Sequence, residues 1–264
     1  RKIRIRADDT VMDFFENEPY MIRRSRGYAP LPLMTGSGFK GHVLGIGGEL
    51  KNTFCLGVND LYYPSPYVGD LGDARTVKAL SETMDRFQTL LEVTPELLVG
   101  DLHPGYNATA LLDELGKDRN IPVKKIQHHY AHILSCMTEH DEKEPVIGVS
   151  FDGTGYGTDG SIWGGEILIC DFDGFRRAGS IKPFMQAGGD LASKEGFRIA
   201  VSLLYDLYGR EEAVKRTLML NLCDKMTANL IITMVEKKLN TVKSTSAGRL
   251  FDAVSALLGI CKKS

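Results

Sequence analysis

Three of the chain's six histidines fall within five positions of one short stretch, QHHYAH: His128, His129 and His132. His128 and His132 are four residues apart, so a helix places them on one face. Two imidazoles on adjacent turns can share a divalent ion with nitrogen–metal distances of about 2.1 Å. His129 and His132, three apart, satisfy the same requirement, so spacing alone does not choose between the pairs. The competing reading is an ordinary helix with partly buried histidines. A metal site also needs a carboxylate, and Asp152 in VSFDGTGYGTDG offers one at the end of an apolar strand. Ligands of α/β sheets bind beyond the carboxyl ends of strands. The glycines that follow, Gly153, Gly155, Gly157 and Gly160, leave backbone N–H groups open to an anion, and Thr154 and Thr158 add hydroxyls. Such a loop suits a nucleotide phosphate; the alternative is a plain glycine-rich β-turn. It is neither a Walker A loop nor a dinucleotide fingerprint.

A second glycine turn, QAGGDLASKEGFRIA, carries Gly188, Gly189 and Asp190 into a helix. Asp190 and Glu195 suit ribose hydroxyls, or equally an N-cap and a solvated helix position. DLHPGY sets Asp101 and His103 after a strand, and GGELKN sets Lys51 in a turn, where it meets an anionic substrate or is a surface lysine. Cys136 and the single tryptophan, Trp163, read as core residues.

The elements behind these residues alternate. TFCLGV followed by Asn59-Asp60 suggests a β-hairpin; Leu80, Met84, Phe87, Leu90 and Leu91 repeat at helical spacing within 73–97; LLVGDL reads as a buried strand. Helices are expected over 107–117 and 129–139 with the strand IPVKKIQ between them. Residues 145–175 read as strand, glycine turn, strand, and 196–262 as helix-rich, with Gly209 just past a helix end and STSAGRLFD capping another. VLGIGGELKN (43–52) overlays VIGVSFDGTG (146–155) without a gap, which sets Glu49 on Asp152 and suggests a duplicated α/β fold.

With 264 residues, 43% of them hydrophobic, the chain can bury a core, and a formal charge of −2 gives no field for nucleic acid. No apolar run reaches the roughly 18–20 residues of a membrane span, and no signal peptide is seen, so no membrane partner is expected. Five scattered cysteines without a C-x-x-C read as reduced thiols of a cytoplasmic protein. Both ends read as cut, and a fragment of a longer protein is expected.

Seven ordered blocks, IRRSRGYAP, GGELKNTFCL, DLHPGY, QHHYAHI, FDGTGYGTDGSIWGGE, GGD and GRLFDAVSALLG, resemble HypF-type carbamoyltransferases, the hydrogenase maturation proteins, over nearly the whole chain. The resemblance implies an actin/hexokinase-like ATPase fold (Kae/TsaD-like), duplicated, truncated at its C-terminal end and preceded by the tail of a YrdC-like domain. The expected divisions are residues 1–33 for that tail, 34–42 for a linker and 43–264 for the first two thirds of the transferase domain.

The implied function is ATP-dependent. Carbamoyl phosphate and ATP give carbamoyl adenylate, and the carbamoyl group passes to the C-terminal cysteine of a HypE-like protein for cyanide-ligand synthesis in [NiFe] hydrogenase. The family's H-x-x-x-H falls on His128 and His132 and its aspartate on Asp152, implying a divalent metal, iron or zinc, with Mg²⁺ as a further candidate. Gly153, Thr154, Gly155, Gly157, Gly188, Gly189 and Asp190 would then face the nucleotide, and Lys51 and His103 would orient the carbamoyl group. The chain reads KEGFR at 194–198, where the family pattern has a Pro-Trp-Arg-like ending; Arg198 keeps its place. Antibiotic-type O-carbamoyltransferases share the motifs in another domain order, and a generic ATPase or sugar kinase of the same fold would not need the histidine pair. A docking surface without catalysis is the non-enzymatic alternative.

Overall fold

A computed structural model describes residues 5–36 and 38–263. The chain divides into two compact units: residues up to Ile126 with Ser135–Lys143, and Gln127–Leu134 with Glu144 onward.

The first unit is built on a six-stranded sheet ordered β3-β6-β5-β4-β7-β8, from β3 (Leu33–Met34), β4 (His42–Gly45), β5 (Cys55–Val58), β6 (Leu61–Pro64), β7 (Leu97–Asp101) and β8 (Val123–Ile126). β4, β5 and β6 form an antiparallel meander, with the expected hairpin turning at Asn59. β7 and β8 run parallel to β4, so loops 46–54 and 102–106 leave the same, carboxyl, edge of adjacent strands. Parallel strands need crossovers, supplied by α1 (Ala74–Leu91) and α2 (Asn107–Arg119). α1 starts at Asp73, whose side chain accepts from the Arg75 N–H, and buries Leu80, Met84 and Phe87. Leu90, expected on the same face, is exposed. Phe87 meets Phe54 edge-on at 5.0 Å. α2 lies close on β7 because position 100 is glycine: a Cβ there would come 2.7 Å from Leu112.

A separate hairpin, β1 (Val11–Phe15) with β2 (Glu18–Arg23), precedes this sheet. Most of the strand expected at the start of the chain falls on residues 1–4, outside the described residues; the first described strand begins at Val11. The segment 34–42 is not all turn. Met34 pairs with Leu61 and His42 with Val58, because both still satisfy ladder positions of the sheet.

The second unit repeats the opening pattern. β9 (Val146–Tyr156), β10 (Ile162–Cys170) and β11 (Phe175–Ser180) form an antiparallel meander in chain order, as β4, β5 and β6 do, which agrees with a duplicated fold. β12 (Phe184–Ala187) and β13 (Thr241–Ser244) complete the sheet. Four helices and the start of a fifth accompany it: residues 128–134 of α3 (His128–Glu139), whose end belongs to the first unit, then α4 (Leu191–Lys194), α5 (Gly196–Met219), α6 (Lys225–Lys237) and α7 (Ala247–Leu257). α5 breaks at Gly209, where φ is 75° and ψ 175°. Phe197, Ile199, Leu204, Ile231 and Ala253 belong to the core of this unit. Phe197 and Gly196, the departures from the family pattern, are packing positions: a Cβ at 196 would meet the Asp252 carbonyl at 2.7 Å.

Among the described residues β9 pairs only with β10, and its outward row, Ile147, Val149 and Phe151, is exposed.

Candidate metal centre

The helix α3 presents two faces to the second unit. On one, His129 and Ile133 are buried against β9 through its glycines: a Cβ at Gly148 would lie 2.3 Å from Ile133, and one at Gly155 would lie 2.4 Å from His129. The adjacent face carries His128 and His132. The choice that spacing left open is thus made by packing, with His129 in the core and His128 and His132 beside Asp152. Burial lowers the His129 pKa to about 4, with the neighbouring His128 acting in the same direction. Its Nδ1 faces Gln127 at 3.1 Å, and its buried Nε2 has no hydrogen-bond partner among the described residues.

Asp152 is not at the end of its strand, and the residues after it are not a loop. β9 continues to Tyr156. Trp163 pairs with Gly155 and Gly165 with Phe151, so Asp152, Gly153 and Thr154 stand opposite Gly164 alone. This is a bulge, the device by which a strand redirects a side chain. The glycines that suggested a loop have two different jobs. Gly155 and Gly157 are buried beneath His129 and Trp163, where a Cβ would come within 2.4 and 2.2 Å. Their N–H groups are not an open cradle either: Gly157 donates to the Ser161 carbonyl, and Gly153 to Asp152 Oδ1 at 2.6 Å. Gly153, with open space around it, and the exposed Thr154 remain accessible beside Asp152.

Asp152 Oδ2 lies 2.8 Å from His128 Nε2 and 3.8 Å from His132 Nε2, and the two Nε2 atoms are 3.2 Å apart. Donors at about 2.1 Å around a tetrahedral ion would be roughly 3.4 Å from one another, which the three separations bracket. A neutral imidazole nitrogen holds at most one proton, yet His128 Nε2 faces both Asp152 and His132. Two imidazoles and one carboxylate are an N/N/O set suited to zinc or iron, with further coordination positions for water or substrate. The residues present therefore fit a divalent ion.

The His128 hydrogen bond holds the Asp152 carboxyl down at about 2, opposed by partial burial and helped by the Gly153 N–H. Its folded pKa is below the unfolded value of about 3.9, so its contribution to stability is complete above pH 4 and lost as pH falls toward 2. In chelator-treated protein, the melting temperature of wild type should fall more steeply between pH 4 and pH 2.5 than that of Asp152→Asn. Equal slopes would remove the linkage.

The other expected residues lie elsewhere. Gly188 (φ 113°) and Gly189 (φ 54°) turn the chain from β12 into α4. Asp190 is exposed at the N-cap position but its side chain caps nothing. Glu195 is not solvated; it pairs with Arg198 at 2.6 Å and Lys263 at 2.8 Å. α7 links this turn to the bulge, since Arg249 donates to the Ser193 carbonyl and its own N–H is capped by Ser246.

Lys51 and His103 belong to the first unit, on the two loops at the carboxyl ends of β4 and β7. Lys51 is exposed with φ 49°, its N–H held by Asp70. His103 stacks on Tyr106 at 4.0 Å, and its Nδ1 accepts from the Gly105 N–H. Asp101, nearly buried, accepts from the His103 N–H at 2.8 Å. Glu49 holds the start of α2 through Asn107 Nδ2 and the Ala108 N–H, an environment unlike that of Asp152 despite the sequence overlay. Trp163 is core as expected, but Cys136 is exposed, because it falls on the outward face of α3. All five cysteines are free.

This architecture, with a histidine–carboxylate cluster beside a bulged strand, is that of a Kae1-like α/β domain. Residues 39–139 match the family described as HypF Kae1-like domain, and residues 148–264 match Carbamoyltransferase, Kae1-like Domain, second subdomain. The chain belongs to the HypF family of carbamoyltransferases. It is 39% identical to Carbamoyltransferase HypF2 of Cupriavidus necator over 98% of its own length and 32% of the relative's. It is 37% identical to the probable carbamoyltransferase HypF of Methanocaldococcus jannaschii over 99% of this chain and 34% of that one. The crystal structure of full-length HypF in the phosphate- and nucleotide-bound form superimposes with a TM-score of 0.90 at 37% identity, over 98% of this chain and 33% of that one. For the T. kodakarensis HypF structure the TM-score is 0.89 at 35% identity, over 98% and 35%. The chain thus spans about a third of the length of these relatives. Among the described residues no helix is long and apolar enough to cross a membrane.

Proposed function

We propose that this chain is the carbamoyl-transfer region of a HypF-type protein, acting with an ion held by His128, His132 and Asp152. The observation that carries this is the convergence of those three side chains, whose donor atoms all lie within 4.8 Å of one another. The family membership supports the reaction type. One similar crystal structure is of a phosphate- and nucleotide-bound form, which supports nucleotide chemistry in the longer protein. We read residues 1–33 as the tail of a YrdC-like domain that precedes the transferase region.

In this reading carbamoyl adenylate, made from carbamoyl phosphate and ATP, is the donor, and the C-terminal cysteine of a HypE-like protein is the acceptor. The bound ion supplies Lewis-acid charge and a template for phosphate oxygens. The thiolate attacks the carbamoyl carbon. The new C–S bond forms as the bond from that carbon to the adenylate oxygen breaks, and AMP leaves with the electron pair. Thr154 and Gly153 line the approach to Asp152, and the Gly188–Asp190 turn takes the nucleoside end. The Lys51 ammonium and the His103 ring orient the carbamoyl group; stacking on Tyr106 fixes the ring, which limits the entropy to be lost when substrate docks.

The test is transfer by the complete protein, supplied with carbamoyl phosphate, ATP and the acceptor, read as a carbamoyl mass increment on the acceptor cysteine. Wild type should transfer. Lys51→Ala and His103→Ala should each slow transfer about tenfold, as misplaced reactants do. Full rates in both would remove these two residues from the mechanism, and no transfer by wild type would sink the assignment.

A further inference from the structure

The bulge that aims Asp152 leaves the opposite strand without its normal ladder partners at Gly164, and a buried carboxylate fills that gap. Glu166 is fully buried. Its Oε1 accepts from the Gly164 N–H at 3.2 Å, the Gly165 N–H at 3.4 Å and the Thr245 hydroxyl, and its Oε2 accepts from Arg177 Nε at 2.7 Å. Arg177 in turn lies over the Trp163 ring at 4.2 Å and reaches Asp159 at 3.4 Å. Thr245 is fixed at both ends, its N–H on the Ile162 carbonyl at 2.9 Å and its hydroxyl on Glu166. The next residue, Ser246, donates its hydroxyl to the Gly153 carbonyl at 2.5 Å while accepting the Arg249 N–H. Gly153 is the residue whose N–H holds Asp152 Oδ1, leaving Oδ2 for His128.

We propose that Glu166, Thr245 and Ser246 are positioning residues that set the direction of Asp152 without themselves touching the ion. The inference rests on the metal-centre reading above. Every group facing Glu166 is a donor, so the site is made for an acceptor with two oxygens. A glutamine at 166 would turn an NH₂ toward either Arg177 or the Gly164 and Gly165 N–H groups, N–H against N–H, with only the Thr245 hydroxyl, whose proton can pass to the Ile162 carbonyl at 3.3 Å, able to accept from it. Ser246 acts one step nearer. Without its hydroxyl the Gly153 carbonyl loses its tie to α7 and keeps only the Thr154 hydroxyl of its own strand at 2.6 Å, so the bulge next to Asp152 is free to shift relative to α7. The sequence signals are the Glu of WGGE and the Ser-Thr-Ser run before α7. The first passes for a strand residue and the second for a cap, and nothing in either names the bulge.

The experiment is a Co²⁺ titration of the full chain, followed by its visible d–d absorption, alongside thermal melting and circular dichroism. Ser246→Gly keeps an acceptable N-cap residue while removing the hydroxyl. It should stay folded and bind Co²⁺ about ten- to a hundredfold more weakly, as loss of a supporting partner does at metal sites, with an altered spectrum. Ser246→Thr should restore binding, and Glu166→Gln should weaken it in the same direction. Folded Ser246→Gly and Glu166→Gln with wild-type affinity and spectrum would overturn the positioning role while leaving the metal centre intact. If Ser246→Gly fails to fold, the Ser246→Thr and Glu166→Gln pair decides: unchanged binding in Glu166→Gln overturns the role. Absence of Co²⁺ binding by wild type would overturn both the metal centre and this role.

Discussion

The purified chain should carry about one divalent ion, and the double variant His128→Ala, His132→Ala should carry none. Plasma mass spectrometry of dialysed protein measures this directly. The argument is one of ligand number. Two imidazoles and a carboxylate hold zinc or iron with directed bonds, whereas Asp152 alone is a single, partly exposed carboxylate, no better than many others on the surface. Removing two of three donors should lower affinity by more than about a thousandfold. His129→Ala is the informative contrast. It lies between the two ligands in sequence but is buried away from them. It should cost stability, about 2–3 kcal/mol for an emptied core position, while the ion is retained. An ion lost equally from His129→Ala and from the double variant would assign the wrong face of α3. Metal-free wild type, loaded with neither zinc nor iron, would reduce the cluster to a hydrogen-bonded polar group.

Gly164→Ala should be among the most damaging single-methyl additions available in this chain. A Cβ at 164 would stand 2.7 Å from the Asp152 carbonyl oxygen and 2.7 Å from Ser246 Cα. Both are backbone, so no side chain can swing aside; either the bulge or the start of α7 must move. Overpacking of this kind costs about 3 kcal/mol. Because the strand that must shift carries Asp152, Co²⁺ or Zn²⁺ affinity should fall together with the melting temperature. Gly153→Ala provides the control on the opposite strand. Nothing lies within 4 Å of its would-be Cβ, so its effect on stability should stay within about 0.5 kcal/mol. Equal melting temperatures for Gly164→Ala and Gly153→Ala would mean that the two strands are not as closely apposed as described.

How much of this was legible in the residues differs from place to place, for physical reasons. The helix at His128–Glu139 and the pairing at i and i+4 are properties of local geometry, and they were readable. Which of two histidine pairs is used depends on where α3 touches β9. The decisive residues, Gly148 and Gly155, are glycines whose role is to be absent, and no periodicity reports that. Asp152 was singled out, but at the end of a strand rather than inside one. Its run of glycines has the composition of a turn, whereas three residues opposite one make a bulge only when the partner strand is known. Glu195 stays open between a ribose ligand and a solvated helix residue, because a helix pattern cannot show that Arg198 and Lys263 close over it. Cys136 looked like core because cysteine usually is. Glu166 was missed altogether: a lone glutamate in a strand says nothing of the donors that Thr245 and Arg177 bring from distant positions.

The outward row of β9 has a practical consequence. Ile147, Val149 and Phe151 are 73%, 61% and 62% exposed, on a strand of 11 residues paired along one edge only among the described residues. An apolar strand paired along one edge is a surface through which separate molecules zip together. The formal charge of −2 supplies little mutual repulsion to prevent it. Concentrated solutions of this chain should therefore scatter light through self-association, and the ion titrations described above are best run dilute with light scattering recorded in parallel, so that turbidity is not mistaken for binding.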